Sequence, residues 1–278
     1  MIVWLASYPK SGNTWIRSLL SAYLYSKDGK FTFKLLEKIQ QFPSKQYFEY
    51  FTKDFTDIKK ISDYWIPSQD KINLINEDVV LLKTHSALCT LEKNQFTNKS
   101  NTKAIIYIAR DPRNLITSLS NHYSLSLKDS LDFMSNKNKM ITPNEHQFGI
   151  ATVLGDWSEH YKSWKNSNIA PILIIKYEDL LKDTISTFTS VINFLSSFIQ
   201  IEINKKKIMD VVDNCKFEKL SSMEKKNGFF ESVNKNNKKI AFFNLGKENK
   251  WQSLLKPEIE NKIRKNFEKE MKELGYIK

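Results

Sequence analysis

Residues 1–20 of the chain read MIVWLASYPKSGNTWIRSLL and contain an apolar run, a short polar turn and an apolar stripe with helical spacing. The run Ile2–Ala6 has the pattern of a buried strand, and the stripe after the turn predicts a helix. The first turn of a helix leaves backbone N–H groups unpaired at the positive end of its dipole, so a strand that turns directly into a helix forms an anion site. Lys10 adds a positive charge to this turn, and Ser11 and Thr14 add hydroxyl donors.

The turn departs from the common nucleotide-phosphate loop, GxxxxGK(S/T), in which lysine follows the second glycine. Here Lys10 precedes Gly12, the only glycine of the turn. Gly12 still permits a tight backbone. An ordinary strand–helix turn with a solvated lysine has the same spacing, so the turn alone leaves both interpretations open.

Three further apolar runs have the pattern of buried strands. They are Val79–Lys83, Ala104–Ala109 and Ile172–Lys176. Each is nearly continuous, as is typical of parallel strands covered on both faces. Helical patterns lie between or after the runs, including Asn13–Ser26 and Asp183–Phe198. This alternation predicts an α/β fold with a central parallel sheet, right-handed crossovers and flanking helices.

The length of 278 residues suits one large domain with a substantial core. We therefore predict a single domain over residues 1–278. Within it, we expect residues 31–67, 125–149 and 218–242 to form cap or mobile segments, since the first is too long for a simple connector and the last is rich in lysine and asparagine. The tail from Pro257 predicts a charged helix.

The composition limits the class of protein. The net charge of +12 is typical of nucleic-acid-binding proteins, but the lysines cluster in asparagine-rich segments without interleaved aromatic residues, which favours a solvated surface. Cys89 and Cys215 lie far apart and form no CxxC motif, so neither a zinc site nor a disulfide framework is indicated. The N-terminus lacks signal-peptide features, and no apolar stretch approaches about 20 residues. We expect a soluble cytoplasmic protein without a membrane or nucleic-acid partner.

The predicted strands end in polar residues that suit one kind of ligand. These ends carry Lys83, Thr84 and His85 after the second strand, Arg110 after the third, and Lys176, Tyr177 and Glu178 after the fourth. Ligands of open α/β sheets bind at the carboxyl ends of the strands. The pattern therefore predicts a site for a polyanion beside a candidate base.

The same strand ends argue against a magnesium-dependent kinase. Such an enzyme needs an acid at a strand end to hold the ion. The second predicted strand has no acid at its end, and Asp111 before Pro112 is better suited to cap a helix. We expect lysine and arginine to neutralise the ligand, and we predict no metal.

Taken together, these motifs resemble the soluble, cytosolic-type sulfotransferase family that uses 3′-phosphoadenosine 5′-phosphosulfate (PAPS). Tyr8–Trp15, YPKSGNTW, is similar to the family's 5′-phosphosulfate loop, YPKSGTTW, with Asn13 for the first threonine. The segment Lys83–His85 resembles the one that bears the catalytic histidine. Arg110 and Ser118 have the spacing of the 3′-phosphate motif.

Further landmarks follow along the chain. Tyr177–Leu180 is similar to the family's YEDL, and Gly155–Trp164 resembles its GSW…H…W helix. Cys215–Phe217 is a weaker match to its Thr-Ser-Phe. Gly246 and Trp251 keep the spacing of RKGxxGDW, the C-terminal motif.

This last motif also contains the main departure. Asn244 and Leu245 stand where the family has Arg-Lys. Lys247 or Lys250 is expected to supply the missing charge.

The resemblance implies a P-loop-like sulfotransferase fold with a cap over the acceptor pocket, PAPS as donor, adenosine 3′,5′-bisphosphate (PAP) as product and no metal. The implied roles are general base for His85, assistance to the leaving group for Lys10 and stabilisation of the sulfuryl group for Lys83. A structural histidine and a surface lysine are the alternatives for His85 and Lys83. The expected cofactor-binding residues are Lys10, Ser11, Gly12, Asn13, Thr14, Trp15, Arg110, Ser118, Tyr177, Phe217, Gly246 and Lys247.

The resemblance implies a small-molecule acceptor with a hydroxyl or an amine, and we expect a monomer. The aromatic segments Tyr47–Phe55, Tyr64–Trp65 and His122–Leu127 are expected to line the acceptor pocket, although they equally suit the cap's own core. We interpret Arg113 and His122 themselves as structural or surface residues.

Three other functions remain open. A kinase-like phosphotransferase predicts binding of ATP and magnesium. A nucleic-acid-binding protein predicts affinity that falls with salt. A sulfotransferase fold that binds the nucleotide without turnover is compatible with Asn244 and Leu245 in the C-terminal motif.

Overall fold

A computed structural model describes residues 1–76, 78–142, 149–235 and 238–278. The strands in this part of the chain are β1 Ile2–Ser7, β2 Val80–Thr84, β3 Thr90–Leu91, β4 Asn94–Gln95, β5 Thr102–Ala109, β6 Met140–Ile141, β7 Thr152–Val153, β8 Ile172–Lys176, β9 Val233–Lys235 and β10 Lys238–Ile240. The helices are α1 Asn13–Tyr25, α2 Ile58–Ser62, α3 Trp65–Ile75, α4 Pro112–Tyr123, α5 Leu127–Ser135, α6 Trp157–Lys165, α7 Tyr177–Lys182, α8 Thr184–Ser196, α9 Lys205–Asn214, α10 Phe217–Asn227, α11 Trp251–Leu254 and α12 Pro257–Glu273.

The centre of the molecule is a four-stranded parallel sheet in the order β2-β1-β5-β8. All six residues of β1 are buried, because β1 has neighbours on both sides and helices on both faces. The predicted parallel sheet with flanking helices is confirmed. Differences are small: β2 is displaced by one residue from the predicted run, and β5 begins at Thr102, which accepts a hydrogen bond from Trp4 Nε1 at 3.2 Å.

The two faces of the sheet form separate hydrophobic clusters, because successive side chains of a strand point to opposite faces. Ile2, Trp4 and Ala6 belong to the cluster that includes residues of the cap, α4, α6 and α12. Val3 and Leu5 belong to the other cluster, with residues of α1, α8 and α9. The carboxyl ends of the four strands therefore lie between two well-packed layers.

The expected cap segment, residues 31–67, packs into the two hydrophobic clusters of the sheet: Leu36 and Ile39 belong to one and Phe48 and Trp65 to the other. Phe48 and Trp65 are fully buried or nearly so, and Tyr47, Phe55 and Tyr64 pack against the same cluster. The aromatic residues named here from the segments Tyr47–Phe55 and Tyr64–Trp65 are thus core residues, but their core is the cluster shared with the central sheet and not a separate core of the cap.

Residues 40–42 of the cap also pair with the open edge of β2. Lys83 N donates to Gln40 O, and Phe42 N donates to Lys83 O, both at 2.8 Å. The pairing is parallel and places Gln41 beside Lys83. It therefore fixes one end of the cap against the strand that carries Lys83.

The other two expected cap or mobile segments contain regular structure. Residues 125–149 include α5 and β6, and their part 143–148 lies outside the described residues. Residues 218–242 include most of α10, then β9 and β10, with 236 and 237 outside the described residues. No helix in the described part of the chain has the length and apolar character needed to cross a membrane.

Candidate active site

The turn between β1 and α1 has the backbone of a tight anion-binding loop. Gly12 adopts φ 102° at the N-cap of α1, and its carbonyl accepts hydrogen bonds from Trp15 N and Ile16 N. Lys10 also has a positive φ, of 66°. A Cβ at Gly12 would lie 2.5 Å from Cδ2 of Tyr177, so the ring of Tyr177 rests directly on the glycine backbone.

This close approach makes a prediction about stability. The substitution Gly12→Ala is expected to lower the free energy of unfolding by about 3 kcal/mol, because a left-handed backbone and a collision with the Tyr177 ring add together. Gly275→Ala is the matched control, since Gly275 has φ 72° with nothing within 4 Å of the added Cβ. We expect about 1 kcal/mol for the control. Urea denaturation measures both, and equal losses would contradict the assignment.

A cavity of about 480 Å³ lies at the carboxyl ends of the strands. Among the residues that the sequence analysis assigned to catalysis or donor binding, those that line it are Lys10, Gly12, Asn13, Thr14, Trp15, Lys83, His85, Arg110, Ser118, Tyr177, Phe217 and Gly246. The fold therefore brings together residues that are up to 236 positions apart. Within the described residues, no group of three or more His, Cys, Asp or Glu side chains is arranged to hold a metal ion.

Arg110 joins the end of β5 to the β1–α1 turn. Its Nη1 donates to Lys10 O at 2.7 Å and to Ser118 Oγ at 3.2 Å, and its Cζ lies 4.2 Å from the centre of the Tyr177 ring. Its Nε is buried and has no hydrogen-bond partner among the described residues. The predicted Arg110–Ser118 pair thus lies together, with one guanidinium donor still available.

The Lys10 ammonium is one of the cations that line the cavity. Its Nζ is 3.4 Å from the centre of the Phe242 ring, and it is buried without a hydrogen-bond partner in the described part of the chain. Burial lowers its pKa to about 7; Glu231 acts in the opposite direction, while Arg110 and Lys83 lower it further. An incoming anion would therefore find a lysine that gains a proton at little cost near neutral pH.

His85 is oriented as a proton acceptor. Its Nδ1 lies 2.8 Å from Ser7 O and 3.3 Å from Ser7 Oγ. Because a carbonyl oxygen only accepts, Nδ1 carries the proton and Nε2 retains its lone pair. Burial, followed by the positive charge of Lys83, holds the pKa of His85 well below its usual value, so the ring is neutral at pH 7. Lys83 is 4% exposed. Burial, together with the positive charge of Arg17, lowers the pKa of Lys83 to about 8.

Helix α6 holds the backbone that carries His85. His160 Nε2 donates to His85 O at 3.0 Å, which leaves Nδ1 to accept from Tyr107 Oη at 2.9 Å. Trp164 Nε1 donates to Ser86 O at 3.0 Å. The residues of the GSW…H…W resemblance therefore act on the position of the candidate base from outside the cavity.

Aromatic side chains form a niche in the wall of the cavity. The Trp15 and Tyr177 rings meet edge to face with centres 5.8 Å apart, and Trp15 Nε1 donates to Cys215 O at 2.9 Å. Phe217 packs so close to Gly246 that a Cβ there would lie 2.6 Å from the ring. A flat heteroaromatic group suits such walls, because its faces are apolar and its edges are polar.

Two of the expected cofactor-binding residues, Ser11 and Lys247, do not line the cavity, and the amide nitrogen of a third, Asn13, is already engaged. Ser11 is fully buried and does not line the cavity. Asn13 lines it but uses Nδ2 to donate to Leu5 O at 2.9 Å, so this amide ties the helix to β1. Lys247 is exposed and does not line the cavity. Lys250, the other candidate for the missing charge, is exposed and lies 3.8 Å from Glu248.

Several residues of the site carry no sequence signal. Glu231 lines the cavity and contacts Thr14, Arg17 and Lys83, although it lies in a segment expected to be cap or mobile. Burial raises the pKa of its carboxyl, but Lys83 and Arg17 outweigh burial and hold the pKa well below the usual range.

Other parts of the cavity wall were also only partly anticipated. They include Gln41, His122, Tyr123, Ile141 and Thr152. His122 therefore lines the cavity, whereas the sequence analysis interpreted it as structural or surface. Burial, followed by the charge of Lys10, lowers its pKa to about 3.

Comparison with known proteins gives a consistent result. A model of the sulfotransferase domain family matches residues 2–275. Flavonol 4′-sulfotransferase from Flaveria chlorifolia is 27% identical over 284 residues, covering 99% of this chain and 80% of the relative. Flavonol 3-sulfotransferase from Flaveria bidentis is 26% identical over 280 residues, covering 99% and 83%.

The fold also matches solved structures. A retinol dehydratase in complex with androsterone and PAP superposes with a TM-score of 0.63, at 18% identity, over 98% of this chain and 80% of that one. This likeness concerns the arrangement of the backbone.

Proposed function

The chain belongs to the sulfotransferase domain family, and on that premise we propose that it transfers the sulfuryl group of PAPS to a hydroxyl, or to an amine, of a small molecule. The observation that carries the proposal is the convergence of Lys10, Arg110, Ser118 and His85 on one cavity. It supplies cations for a nucleotide with phosphate at both ends and a neutral base beside them.

The residues present suit PAPS. Lys10 Nζ and Arg110 Nε are buried and have no hydrogen-bond partner among the described residues, and an anion would satisfy both donors. Lys10, Thr14 and the first turn of α1 would hold the 5′-phosphosulfate, and Arg110 with Ser118 would hold the 3′-phosphate. The niche of Trp15, Tyr177 and Phe217 would receive the adenine. When bound, PAPS supplies an electrophilic sulfuryl group on a phosphate leaving group.

The state of each side chain in the cavity supports its proposed role. His85 accepts the proton of the acceptor hydroxyl at Nε2, because Nδ1 is already committed to Ser7 O. Lys10 neutralises the charge that develops on the leaving oxygen, and Lys83 neutralises charge on the transferring oxygens. Arg110 orients the nucleotide through parallel hydrogen bonds to phosphate.

The cavity wall supports a small and largely apolar acceptor. Tyr123 and Ile141 offer apolar contacts at the cavity wall, while Gln41 and Thr152 offer polar ones. A ring system that bears a hydroxyl suits this mixture. The similarity to flavonol sulfotransferases is compatible with such an acceptor. We propose that the protein acts in the cytoplasm, as a monomer.

The decisive experiment is calorimetric titration with PAP, 5′-AMP and ATP–Mg, with EDTA present in the metal-free arms. We expect micromolar PAP affinity without metal and a 5′-AMP affinity about tenfold to a hundredfold weaker, because a charged hydrogen bond to the 3′-phosphate is lost. Arg110→Met should bring the PAP affinity close to that of 5′-AMP and leave 5′-AMP little changed. Tighter binding of ATP–Mg would favour the kinase-like alternative instead.

A further inference from the structure

The carboxylate of Glu231 lies in a built anion site at the wall of the cavity. Oε2 accepts from Thr14 Oγ1 at 2.8 Å, and Oε1 accepts from Arg17 Nη1 at 2.6 Å and from Lys83 Nζ at 3.1 Å. The side chain of Glu231 is 6% exposed. A hydroxyl, a guanidinium and an ammonium from α1 and β2 therefore converge on one anion.

Two of these three donors are ones that the proposed function assigns to PAPS. Thr14 belongs to the loop for the 5′-phosphosulfate, and Lys83 is assigned to the sulfuryl oxygens. The Thr14 hydroxyl has one proton to donate, so it cannot serve Glu231 and a phosphate at once. Two anions held a few ångströms apart in a buried site also repel strongly. Glu231 and the donor are therefore competitors for the same groups.

Arg17 is the third donor, and it is held rigidly. Its Nε donates to Ile39 O and its Nη2 donates to Leu36 O, both at 3.1 Å. These bonds direct Nη1 toward Glu231, and the side chain is 3% exposed. Arg17 also follows Thr14 by three residues on α1, which places both side chains on one face of the helix.

We propose that Thr14, Arg17 and Lys83 form a binding site, called the cradle here, for the 5′-phosphosulfate of the donor, which makes Arg17 a donor-binding residue. In the free protein the carboxylate of Glu231 occupies the cradle as an internal stand-in for this anion, and the donor displaces it. This inference rests on the proposed function. Asn244 and Leu245 stand where the family motif has an Arg-Lys pair, so this chain has fewer cations for the 3′ end of the nucleotide. Arg17 would add a cation at the 5′ end.

Removal of the stand-in is the first test. Calorimetry with PAP compares the wild-type chain with Glu231→Gln, which keeps the size of the side chain and removes its charge. We expect the variant to bind PAP at least about tenfold more tightly. Glu218→Gln is the matched control, because Glu218 is exposed on α10 and its loss changes the net charge equally. Equal gains in the two variants would mean that net charge alone is responsible and would overturn the proposal.

The role of Arg17 is tested in the Glu231→Gln background, where its own ion pair is already absent. The readout is the ratio of the affinities for PAP and for 3′-AMP. Because the two nucleotides differ only in the 5′-phosphate, this ratio isolates the contribution of the 5′-phosphate to the affinity. Arg17→Met should lower this ratio at least about tenfold. Arg17→Lys, which keeps the charge and is the safer variant for folding, should lower it about threefold, since the fork is lost. An unchanged ratio in either folded variant would show that Arg17 serves only to pair with Glu231.

The outcomes separate this inference from the proposed function. If neither the wild-type chain nor Glu231→Gln binds PAP, the proposed function fails. If the wild-type chain binds PAP and Glu231→Gln binds it no more tightly, the proposed function stands and the cradle is rejected. Thermal melts of every variant, followed by circular dichroism, establish that each one is folded.

Discussion

His85→Ala is expected to lower kcat for sulfuryl transfer by about 10²–10⁴-fold, with PAP affinity within about twofold of the wild-type value. The reason is geometric: the Nδ1–H of the ring donates to Ser7 O, so the accessible lone pair is the one on Nε2. The low pKa of His85, caused first by burial and then by Lys83, keeps that lone pair free at neutral pH. Steady-state kinetics with PAPS and an accepted hydroxyl compound provide the measurement.

His85→Asn is the matched variant, because its side-chain amide retains a hydrogen-bond donor for Ser7 O but has no nitrogen that can accept a proton. It should be as impaired as His85→Ala. An active His85→Asn would assign the proton transfer to another group and leave His85 a positioning role. If the wild-type protein binds PAP and transfers nothing to any acceptor tested, the non-catalytic sulfotransferase fold becomes the correct description.

Lys10→Met is expected to lower kcat/KM by about 10²–10³-fold, because the substitution removes one preorganised donor to the charge that develops on the leaving oxygen.

The substitution Lys10→Met should also remove the part of the pH dependence of PAP binding that comes from Lys10. Lys10 has a pKa of about 7 in the free protein. A bound phosphate raises that pKa, so binding takes up a proton once the pH exceeds 7. PAP affinity should therefore fall about fivefold as the pH rises from 7 to 8 in the wild-type protein through Lys10 alone, and clearly less in Lys10→Met, where only Lys83 still loses protons.

This pH window distinguishes Lys10 from its neighbours. Lys83, with a pKa of about 8, loses its proton mainly above pH 8 and contributes a smaller share between pH 7 and 8, so Lys83→Met serves as the comparison and should retain the larger part of the fall. His122, with a pKa of about 3, is neutral throughout. Proton uptake measured by calorimetry at pH 8 in buffers of different ionisation enthalpy tests the assignment directly. Equal uptake by the wild-type protein and Lys10→Met would refute it.

The central sheet was predictable because its strands are buried on both faces. Such strands appear in a sequence as continuous apolar runs, and the polar residues that end them meet at one edge of the sheet. Lys83 and Arg110 were found in this way, because Lys83 ends a run and Arg110 directly follows one. His85 and Lys10 follow within the short polar stretches after their runs. Their association needed only the strand order, which parallel crossovers restrict strongly.

The remaining residues of the site depend on packing that leaves no periodic signal. Glu231 reaches Arg17 across 214 positions of sequence, from a segment whose lysine and asparagine content suggested a solvated surface. The aromatic residues of the cap posed the opposite problem, since core and pocket wall have the same composition. In Phe48 and Trp65 the core interpretation prevails, whereas Tyr123 lines the cavity.

The pairing of residues 40–42 with β2 has a consequence for aggregation. A bare edge strand offers unpaired N–H and C=O groups to any other extended chain. Here Gln40 O and Phe42 N occupy such groups of Lys83, so the cap protects the edge of the sheet that carries part of the active site. A version of the chain shortened by removing the cap would expose an apolar edge strand to intermolecular pairing, and we expect it to precipitate rather than to act on larger acceptors.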